Sequence, residues 1–215
     1  MSVTLYFGLP RSGKTTFAAA IAVETQKKID SGKSKYKAVY TNFHVNYPNI
    51  RKIDPALHFG NFEFTDSLVL IDEATLHFDS RDYKAIDKKI RKFFFLHGHQ
   101  RLNIILFCQQ WDAVDKGIRV ITDKVFYVHK GKFRRWISYA MPIPYDIIIP
   151  DPKKSDGEKL GEIIQGYCKP PFLVRLFQPR IRRRKYYKYF DSWEREKLPE
   201  LPIRAWVTPD TDKRD

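Results

Sequence analysis

The feature that most constrains the fold of this chain is the glycine-rich octapeptide GLPRSGKT at residues 8–15. It satisfies the pattern G-x-x-x-x-G-K-[ST], in which the glycines let successive backbone N–H groups point at phosphate oxygens. The β-branched and aromatic run at residues 3–7 predicts a buried strand before it, and the alanine-rich run at residues 15–22 predicts a helix after it. Because the amino terminus of such a helix attracts anions, this context predicts a nucleoside-triphosphate site rather than a glycine turn without a ligand.

The pattern also assigns a task to individual side chains of this phosphate loop. Lys14 is predicted to reach the β- and γ-phosphates, and the hydroxyl of Thr15 to bind Mg²⁺. ATP and Mg²⁺ are therefore the expected cofactors. The complete predicted nucleotide-binding set is Gly8, Pro10, Arg11, Ser12, Gly13, Lys14, Thr15 and Thr16.

An acidic pair follows a second apolar run. A phosphate-loop protein that hydrolyses ATP needs an acidic group on a neighbouring strand, and the run at residues 67–71 ends in Asp72 and Glu73. Asp72 is predicted to hold Mg²⁺, directly or through water, and Glu73 to act as general base on the attacking water. Alone, the pair is equally consistent with a solvated strand end or a helix cap. Behind an apolar strand and after the phosphate loop, it indicates a Walker B motif and favours hydrolysis over phosphoryl transfer.

A polar amide ends the next predicted strand, at residues 103–108. Gln109 is placed there to touch the γ-phosphate or the lytic water. The alternative is an amide that only caps the end of the strand.

The alternation of apolar strands with helices defines the fold class. Further strands are predicted at residues 38–41, 67–71, 103–108 and 124–128, with helices from the phosphate loop to about Lys28 and over about residues 82–97. This order predicts an α/β protein, a three-layer P-loop NTPase fold with a mainly parallel central sheet. Residues 42–64 are expected to be irregular, 135–140 to form one more strand, and 142–179 to be a loop or a small extension. The predicted division is an ATPase core at 1–140, a C-terminal extension at 141–192 and a tail at 193–215.

The charge of the chain is strongly positive and unevenly distributed. There are 39 lysines and arginines against 25 acidic residues, a net charge of +14, and no acidic residue lies between Glu162 and Asp191. Cations and tyrosines interleave in the basic stretch at residues 180–188, which predicts contact with nucleic-acid phosphates and stacking on bases. A solvated charged face and attraction to an acidic membrane surface are the alternatives. The predicted nucleic-acid contacts are Arg180, Arg182, Arg183, Arg184, Lys185 and Lys188.

Membrane and metal signals are weak. No stretch approaches the roughly 18 apolar residues of a membrane helix, and no secretory signal is visible. Cys108 and Cys168 do not make a disulfide framework, and His97 and His99 lack a third ligand at metal-binding spacing. The expected location is the cytoplasm, that of the host if the protein is viral, without a transmembrane segment.

Several motifs resemble the ATPase domain of zonular occludens toxin-like (Zot) proteins, over about residues 3–192. Besides the phosphate loop, the resemblance rests on Thr41-Asn42, Asp72-Glu73-Ala74, Phe78-x-x-Arg81, Phe95-Leu96-His97-x-His99, Leu102-Asn103-Ile104-Ile105, Gln109, Ile118-Arg119 and Tyr189-Phe190-Asp191-Ser192. Zot-like domains belong with the FtsK/HerA group of ring-forming ATPases, which includes filamentous-phage assembly proteins, DNA pumps and genome-packaging ATPases. The resemblance implies that Gln109 is the polar sensor of the fourth strand.

The resemblance also implies partners. It predicts viral or plasmid DNA as substrate, a homo-oligomer with a hexameric ring as one form, and a capsid, coat or membrane assembly partner. In ring ATPases a neighbouring subunit supplies an arginine to the γ-phosphate. Gly98 stands where the family often has arginine. Arg101 ranks first as that residue because it leads directly into the strand that ends at Gln109, and Arg119 and Arg81 follow. Filamentous-phage members usually carry a membrane span after this domain, and no such span is found in this sequence.

These inferences favour an ATP-hydrolysing motor that acts on DNA in phage morphogenesis or genome packaging. A nucleoside or nucleotide kinase would share the phosphate loop but would need a lid arginine rather than Asp72, Glu73 and Gln109. A third hypothesis is an adaptor that binds ATP and recruits partners without appreciable turnover. Hydrolysis stimulated by DNA would separate the motor from both alternatives.

Overall fold

The computed structural model describes residues 1–79, 88–130, 139–145 and 181–191, and places a single eight-stranded sheet at their centre. Its strands are β1 (Ser2–Phe7), β2 (Ala38–Thr41), β3 (Ile50–Lys52), β4 (Ser67–Ile71), β5 (Asn103–Cys108), β6 (Lys124–Lys130), β7 (Tyr139–Tyr145) and β8 (Ile181–Arg182). The described helices are α1 (Lys14–Asp30), α2 (Pro55–His58), α3 (Lys88–Leu96), α4 (Lys116–Val120) and α5 (Arg183–Tyr186). Short 3-10 turns cover Ala74–Leu76 and Tyr187–Tyr189.

The strand order is β3-β2-β4-β5-β1-β6-β7-β8, and the first six strands of that order run parallel. In register, Leu5 of β1 lies beside Leu106 of β5 on one side and Val125 of β6 on the other. The last two strands are antiparallel. Because the carboxyl ends of parallel strands meet at one edge, the phosphate loop after β1 and the acidic pair after β4 lie at the same edge of the sheet.

Both faces of the parallel sheet are covered, which confirms the predicted three-layer α/β fold. All five residues of β4 are buried, as the continuous apolar run predicts. On one face, Leu68 and Leu70 join Phe17, Ala18 and Ala22 of α1 in one apolar cluster. The small alanine side chains let α1 approach the sheet closely, so that the helix directly after the phosphate loop is packed along most of its length.

The second face of the sheet carries a phenylalanine-rich cluster under α3. Phe59, which follows α2, is 1% exposed and stacks on Phe93 with ring centroids 4.2 Å apart. Ile90 and Phe94, which lie in α3 like Phe93, belong to the same cluster, together with Val69 and Ile71 of β4. Ile90, Phe93 and Phe94 therefore form the buried face of α3, and residues 82–87 of the predicted helix lie outside the described residues.

The central strands β2, β4 and β5 lie at the predicted residues, whereas three peripheral predictions need correction. The segment at 42–64 is not irregular throughout, since β3 and α2 lie within it. β7 spans Tyr139–Tyr145, so residues 142–145 are strand rather than loop, and the sheet crosses the predicted boundary at 140. Residues 135–138 of the predicted strand and 146–179 of the predicted loop or extension lie outside the described residues. Pro142 and Pro144 alternate along β7, which places both missing N–H groups on one edge of the strand. The ends of α1 and β6 each lie two residues beyond prediction.

Candidate nucleotide site

The phosphate loop is fixed where β1, β5 and β6 end together. The N–H of Gly8 donates to the carbonyl oxygen of Cys108 at 3.2 Å, which continues the β1–β5 pairing into the loop. On its other side, a Cβ at Gly8 would lie 2.3 Å from the carbonyl oxygen of Val128 in β6. Real Cβ atoms do not approach oxygen so closely, so this position requires glycine for space. The first glycine of the motif therefore seats the loop between two strands.

The loop then turns through two left-handed residues before α1 begins. Arg11 has φ 61° and Gly13 has φ 104°. Alternation of right- and left-handed residues forms the concave backbone arrangement that binds anions. Between these residues, the hydroxyl oxygen of Ser12 is buried and has no hydrogen-bond partner among the described residues. A buried polar atom without a partner in a concave backbone turn fits a phosphate oxygen as its partner.

The side chain of Lys14 folds back over this loop. Its Nζ donates to the carbonyl oxygen of Gly8 at 2.8 Å and to that of Leu9 at 3.3 Å, and the residue is only 5% exposed. The amine is thus held over the loop by two neutral acceptors that a phosphate oxygen can replace. Pro10 and Arg11 are exposed at the outer side of the loop, whereas Thr16 is buried in the first turn of α1.

The hydroxyl of Thr15 and the carboxylate of Asp72 meet at the carboxyl edge of the sheet. Thr15 donates a hydrogen bond to Asp72, which is 6% exposed. Burial raises the pKa of Asp72 above its ordinary value, and the nearby Glu73 carboxylate adds to this effect. One carboxylate and one hydroxyl are hard oxygen donors, and Mg²⁺ is commonly held by one or two carboxylates together with substrate phosphates. These two residues therefore fit the magnesium ion of a bound nucleotide.

Glu73 stands beside this pair in an unusual backbone conformation. Its φ is 47°, in the left-handed region, and its N–H donates to Oδ1 of Asp72 at 3.0 Å. Nε2 of Gln109 donates to Oε2 of Glu73 at 3.3 Å. The structure therefore brings the predicted base and the predicted sensor into contact across β4 and β5. Non-glycine residues in this conformation cost about 1–3 kcal/mol and are concentrated at functional sites.

Asn42 is a component of the site for which the sequence predicts no role. Its side-chain amide donates to the carbonyl oxygen of Asp72 at 2.8 Å and accepts from the N–H of Asp72 at 2.7 Å. The same Nδ2 lies 3.2 Å from Nε2 of His77, whose pKa is lowered by burial. The signal in the sequence was the Thr41-Asn42 pair at the end of β2, the strand beside the acidic strand.

Comparison with known proteins identifies the family. The chain matches the family model described as zonular occludens toxin (Zot) over residues 2–138. The chain belongs to the Zot family. Among solved structures it is similar to the N-terminal domain of zonular occludens toxin from Neisseria meningitidis, with 16% sequence identity and a TM-score of 0.54. That likeness covers 88% of this chain and 98% of the other, and it shows a shared fold.

Two viral proteins show weaker similarity. B204, the DNA-packaging ATPase of Sulfolobus Turreted Icosahedral Virus, is 15% identical with a TM-score of 0.42, over 59% of this chain and 74% of that one. The genome packaging NTPase B204 of Sulfolobus turreted icosahedral virus 2 in complex with ATP-gammaS is 14% identical with a TM-score of 0.43, over 68% and 92%. No curated protein matches this Zot-family chain in sequence.

The arginine ranked first as a partner of the γ-phosphate lies far from the phosphate loop of its own chain. Arg101 precedes β5 and is therefore at the amino edge of the sheet, whereas the phosphate loop is at the carboxyl edge. Its guanidinium forms two bonds with the carboxylate of Asp66, at 2.8 Å and 3.0 Å. Arg119 in α4 stacks over Trp111 at 5.7 Å, and Arg81 lies outside the described residues. Only a neighbouring subunit could bring Arg101 to a nucleotide site.

The basic stretch, of which all but Arg180 is described, folds across the outside of α1. Lys185 and the hydroxyl of Tyr186 both donate to Oε1 of Glu24 at 2.9 Å, and Tyr186 is buried. These bonds, that of Lys185 most of all, lower the pKa of Glu24 to about 2. Lys185 therefore anchors the basic stretch to Glu24 of α1, in addition to placing a charge at the surface. Arg182, Arg184 and Lys188 are exposed, and Arg183 lies 6.0 Å from the ring of Tyr187.

The described residues contain neither a cluster of metal-binding side chains nor a helix that could span a membrane. No group of three or more histidine, cysteine, aspartate or glutamate side chains there has the geometry to hold a metal ion, and His97 and His99 are not part of one. Across the same residues, no helix has both the length and the apolar character needed to span a membrane.

Proposed function

We propose that this Zot-family protein is a Mg²⁺-dependent ATPase that acts as a motor on viral or plasmid DNA, in phage morphogenesis or genome packaging. The observation that supports hydrolysis is the contact between Glu73 and Gln109 directly beside the Thr15–Asp72 pair. A carboxylate next to a metal site and oriented by a neutral amide is placed to activate water. A kinase has no use for an activated water, because its acceptor is a hydroxyl of the substrate.

Each residue of the site then has a step of its own. Lys14 exchanges the carbonyl oxygens of Gly8 and Leu9 for phosphate oxygens. Thr15 and Asp72 would hold the Mg²⁺, directly or through water, and the bound ion would neutralise charge on the β- and γ-phosphates. Glu73 accepts the proton of the attacking water, and Gln109 holds the Glu73 carboxylate so that its free oxygen points to that water.

The hydrolysis proposal is tested by separating binding from turnover. Lys14→Ala should abolish nucleotide binding or hydrolysis, because it removes the charge that faces the phosphates. Glu73→Gln should bind ATP as the wild type does and lose about 10²–10⁴ in rate, the usual contribution of a general base. Glu63→Gln, at an exposed position outside the site, is the matched control. Unchanged turnover in Glu73→Gln would exclude Glu73 as the base.

The proposal that DNA is the substrate is supported by the exposed cations of the basic stretch. Arg182, Arg184 and Lys188 point to solvent beside an exposed tyrosine, Tyr187, on the outer surface of α1. Phosphate contacts release counterions, so affinity should fall linearly with log salt, with a slope near one unit per neutralised phosphate.

A graded set of variants tests this surface. The triple change Arg182→Gln, Arg184→Gln and Lys188→Gln should weaken binding to all sequences alike and reduce the salt slope by up to three units. Lys185→Gln, which acts on the same surface but through the anchor to Glu24, should change the slope less. Unchanged affinity and slope in the triple variant would leave a solvated face as the better interpretation.

A shared active site between subunits is the third part of the proposal. We propose a homo-oligomer, with a hexameric ring as one form, in which Arg101, Arg119 or Arg81 of one subunit reaches the nucleotide of the next. Alanine at the true position should leave ATP binding intact and reduce turnover by about 10³–10⁵. Mixing that variant with Lys14→Ala should restore partial activity at mixed interfaces. A monomer that hydrolyses ATP at full rate with DNA present would rule out the shared site.

A further inference from the structure

The side chain of Asn42 extends the β-ladder by one rung after its own strand has ended. β2 ends at Thr41, and the backbone N–H of Asn42 still donates to the carbonyl oxygen of Leu70 in β4 at 3.3 Å. The next rung on β4 is Asp72, and there the side-chain amide of Asn42 supplies both the donor and the acceptor. The amide thereby does for Asp72 what a neighbouring backbone peptide does inside a sheet.

This rung fixes the two peptide groups on either side of the Asp72 Cα. The distances are 2.7 Å to the N–H and 2.8 Å to the carbonyl oxygen, both short for amide bonds. With both peptide planes held, the direction of the Cα–Cβ bond of Asp72 is fixed, from which its carboxylate reaches Thr15. The carbonyl of Asp72 belongs to the peptide that enters Glu73, so the same rung supports the left-handed turn that presents Glu73 to Gln109.

The orientation of the Asn42 amide is itself determined by its surroundings. A backbone N–H can only donate and a carbonyl can only accept, so the Oδ1 and Nδ2 atoms of Asn42 cannot be exchanged without losing both bonds to Asp72. The second hydrogen on Nδ2 faces Nε2 of His77 at 3.2 Å, and an acceptor there requires the tautomer with the proton on Nδ1. Asn42 is therefore held by three contacts, while its side chain stays only half-buried.

We infer that Asn42 is a positioning residue for Mg²⁺ binding and water activation, acting through the backbone of Asp72 rather than on the nucleotide. This inference rests on the proposed function, since it assigns the metal to Thr15 and Asp72. Groups that orient metal ligands typically contribute 10–100-fold to metal affinity or activity. The phosphate loop makes no hydrogen bond with Asn42 among the described contacts, so binding of the nucleotide without metal should not depend on it.

The test measures what Mg²⁺ adds to nucleotide affinity. A fluorescent ATP analogue is titrated with and without Mg²⁺ into the wild type, Asn42→Ala, Asn42→Asp and the control Asn46→Ala, an exposed asparagine four residues on. Asn42→Asp keeps the volume and one acceptor but loses the donor to the Asp72 carbonyl. Its extra negative charge attracts Mg²⁺, so a smaller gain on adding Mg²⁺ in this variant runs opposite to the direct effect of the added charge on the metal.

We expect metal-free affinity to stay within about two-fold of wild type in Asn42→Ala and Asn46→Ala. The gain in affinity on adding Mg²⁺ should shrink about 10–100-fold in both Asn42 variants, with a matching fall in kcat, and remain unchanged in Asn46→Ala. An undiminished gain in Asn42→Asp overturns the inference even if Asn42→Ala fails to fold. Equal losses with and without Mg²⁺ also overturn it, since they show a general structural role. A wild type that gains nothing from Mg²⁺ overturns the proposed function together with this inference.

Discussion

The buried carboxylate of Asp72 should make the ligand-free protein less stable than a variant in which it is neutral. Asp72 is 6% exposed, and burial is the first cause of its raised pKa. An asparagine at this position has the same shape, can still accept from the N–H of Glu73 and can donate to the hydroxyl of Thr15. Replacing a buried ion pair by well-packed neutral residues of similar volume is often neutral or stabilising by about 1–4 kcal/mol, and a single buried carboxylate carries the same kind of desolvation cost. Asp72 already accepts hydrogen bonds that stabilise its charged form, so we expect a stabilisation near the low end of this range.

We expect Asp72→Asn to raise the free energy of unfolding of the ligand-free protein by about 1–2 kcal/mol, or its Tm by about 2–8 °C for a chain of this length. With Mg²⁺ and ATP bound, the wild type should instead be the more stable of the two proteins. At a ligand concentration of 100 Kd, binding stabilises the wild type by about 2.7 kcal/mol, and the variant forfeits the metal-dependent part of that gain. Urea unfolding of both proteins, with and without Mg²⁺ and a non-hydrolysable ATP analogue, measures all four values.

The pH dependence supplies an internal check on this prediction. Since the folded-state pKa of Asp72 is raised, the folded protein binds a proton more readily than the unfolded chain, and wild-type stability falls as pH rises through that pKa. Below the unfolded pKa both states are protonated, and the advantage of Asp72→Asn should vanish. A ligand-free variant that is no more stable than the wild type at pH 7, or an advantage that grows as the pH is lowered, would refute the reasoning.

Three further outcomes are expected from the contacts described. Gly8→Ala should destabilise the protein by about 1–3 kcal/mol in urea unfolding and abolish nucleotide binding, since the new Cβ meets a β6 carbonyl oxygen at 2.3 Å. Glu24→Gln should lower the free energy of unfolding by about 0.2–1 kcal/mol at neutral pH, as for other exposed ion pairs. This difference should disappear as the pH falls from about 4.5 to about 2, the pKa of Glu24 in the folded protein. Phe59→Ala, which removes the ring stacked on Phe93, should cost about 3–5 kcal/mol in the same assay without changing the nucleotide affinity of the folded fraction.

The predictable part of this structure is the part that a single local pattern determines. β4 is buried on both faces, so its residues form an unbroken apolar run, and its limits can be found by inspection. β3 and α2 could not be found in this way. β3 has only three residues, two of them exposed, and α2 is a single turn whose sequence signal is Asp54 as cap before Pro55. The position of β3 depends on its pairing with β2, and that of α2 on the stacking of the next residue, Phe59, on Phe93 of α3. No local pattern encodes either contact.

The candidate site also has a part that the sequence predicts and a part that depends on contacts between distant residues. The phosphate loop and the Asp72-Glu73 pair are short segments with fixed spacing, so their sequence predicts their chemistry. The role of Asn42 depends on a contact with Asp72 across 30 positions, and the anchoring of Lys185 depends on one with Glu24 across 161. A basic residue in an acid-free stretch looks the same in the sequence whether it faces solvent or an ion-pair partner. Only the fold distinguishes Lys185 from Arg184.

The Glu24 anchor also has a consequence for the order in which the molecule is made. Its two partners, Lys185 and Tyr186, emerge from the ribosome more than 160 residues after Glu24. At a synthesis rate of about 5–20 residues per second, that interval is roughly 10–30 s. During this time the strands that carry the phosphate loop can pair, while the outer face of α1 lacks its cover. Nascent chains therefore pass through a stage in which the strands of the candidate nucleotide site have been made and the basic stretch has not.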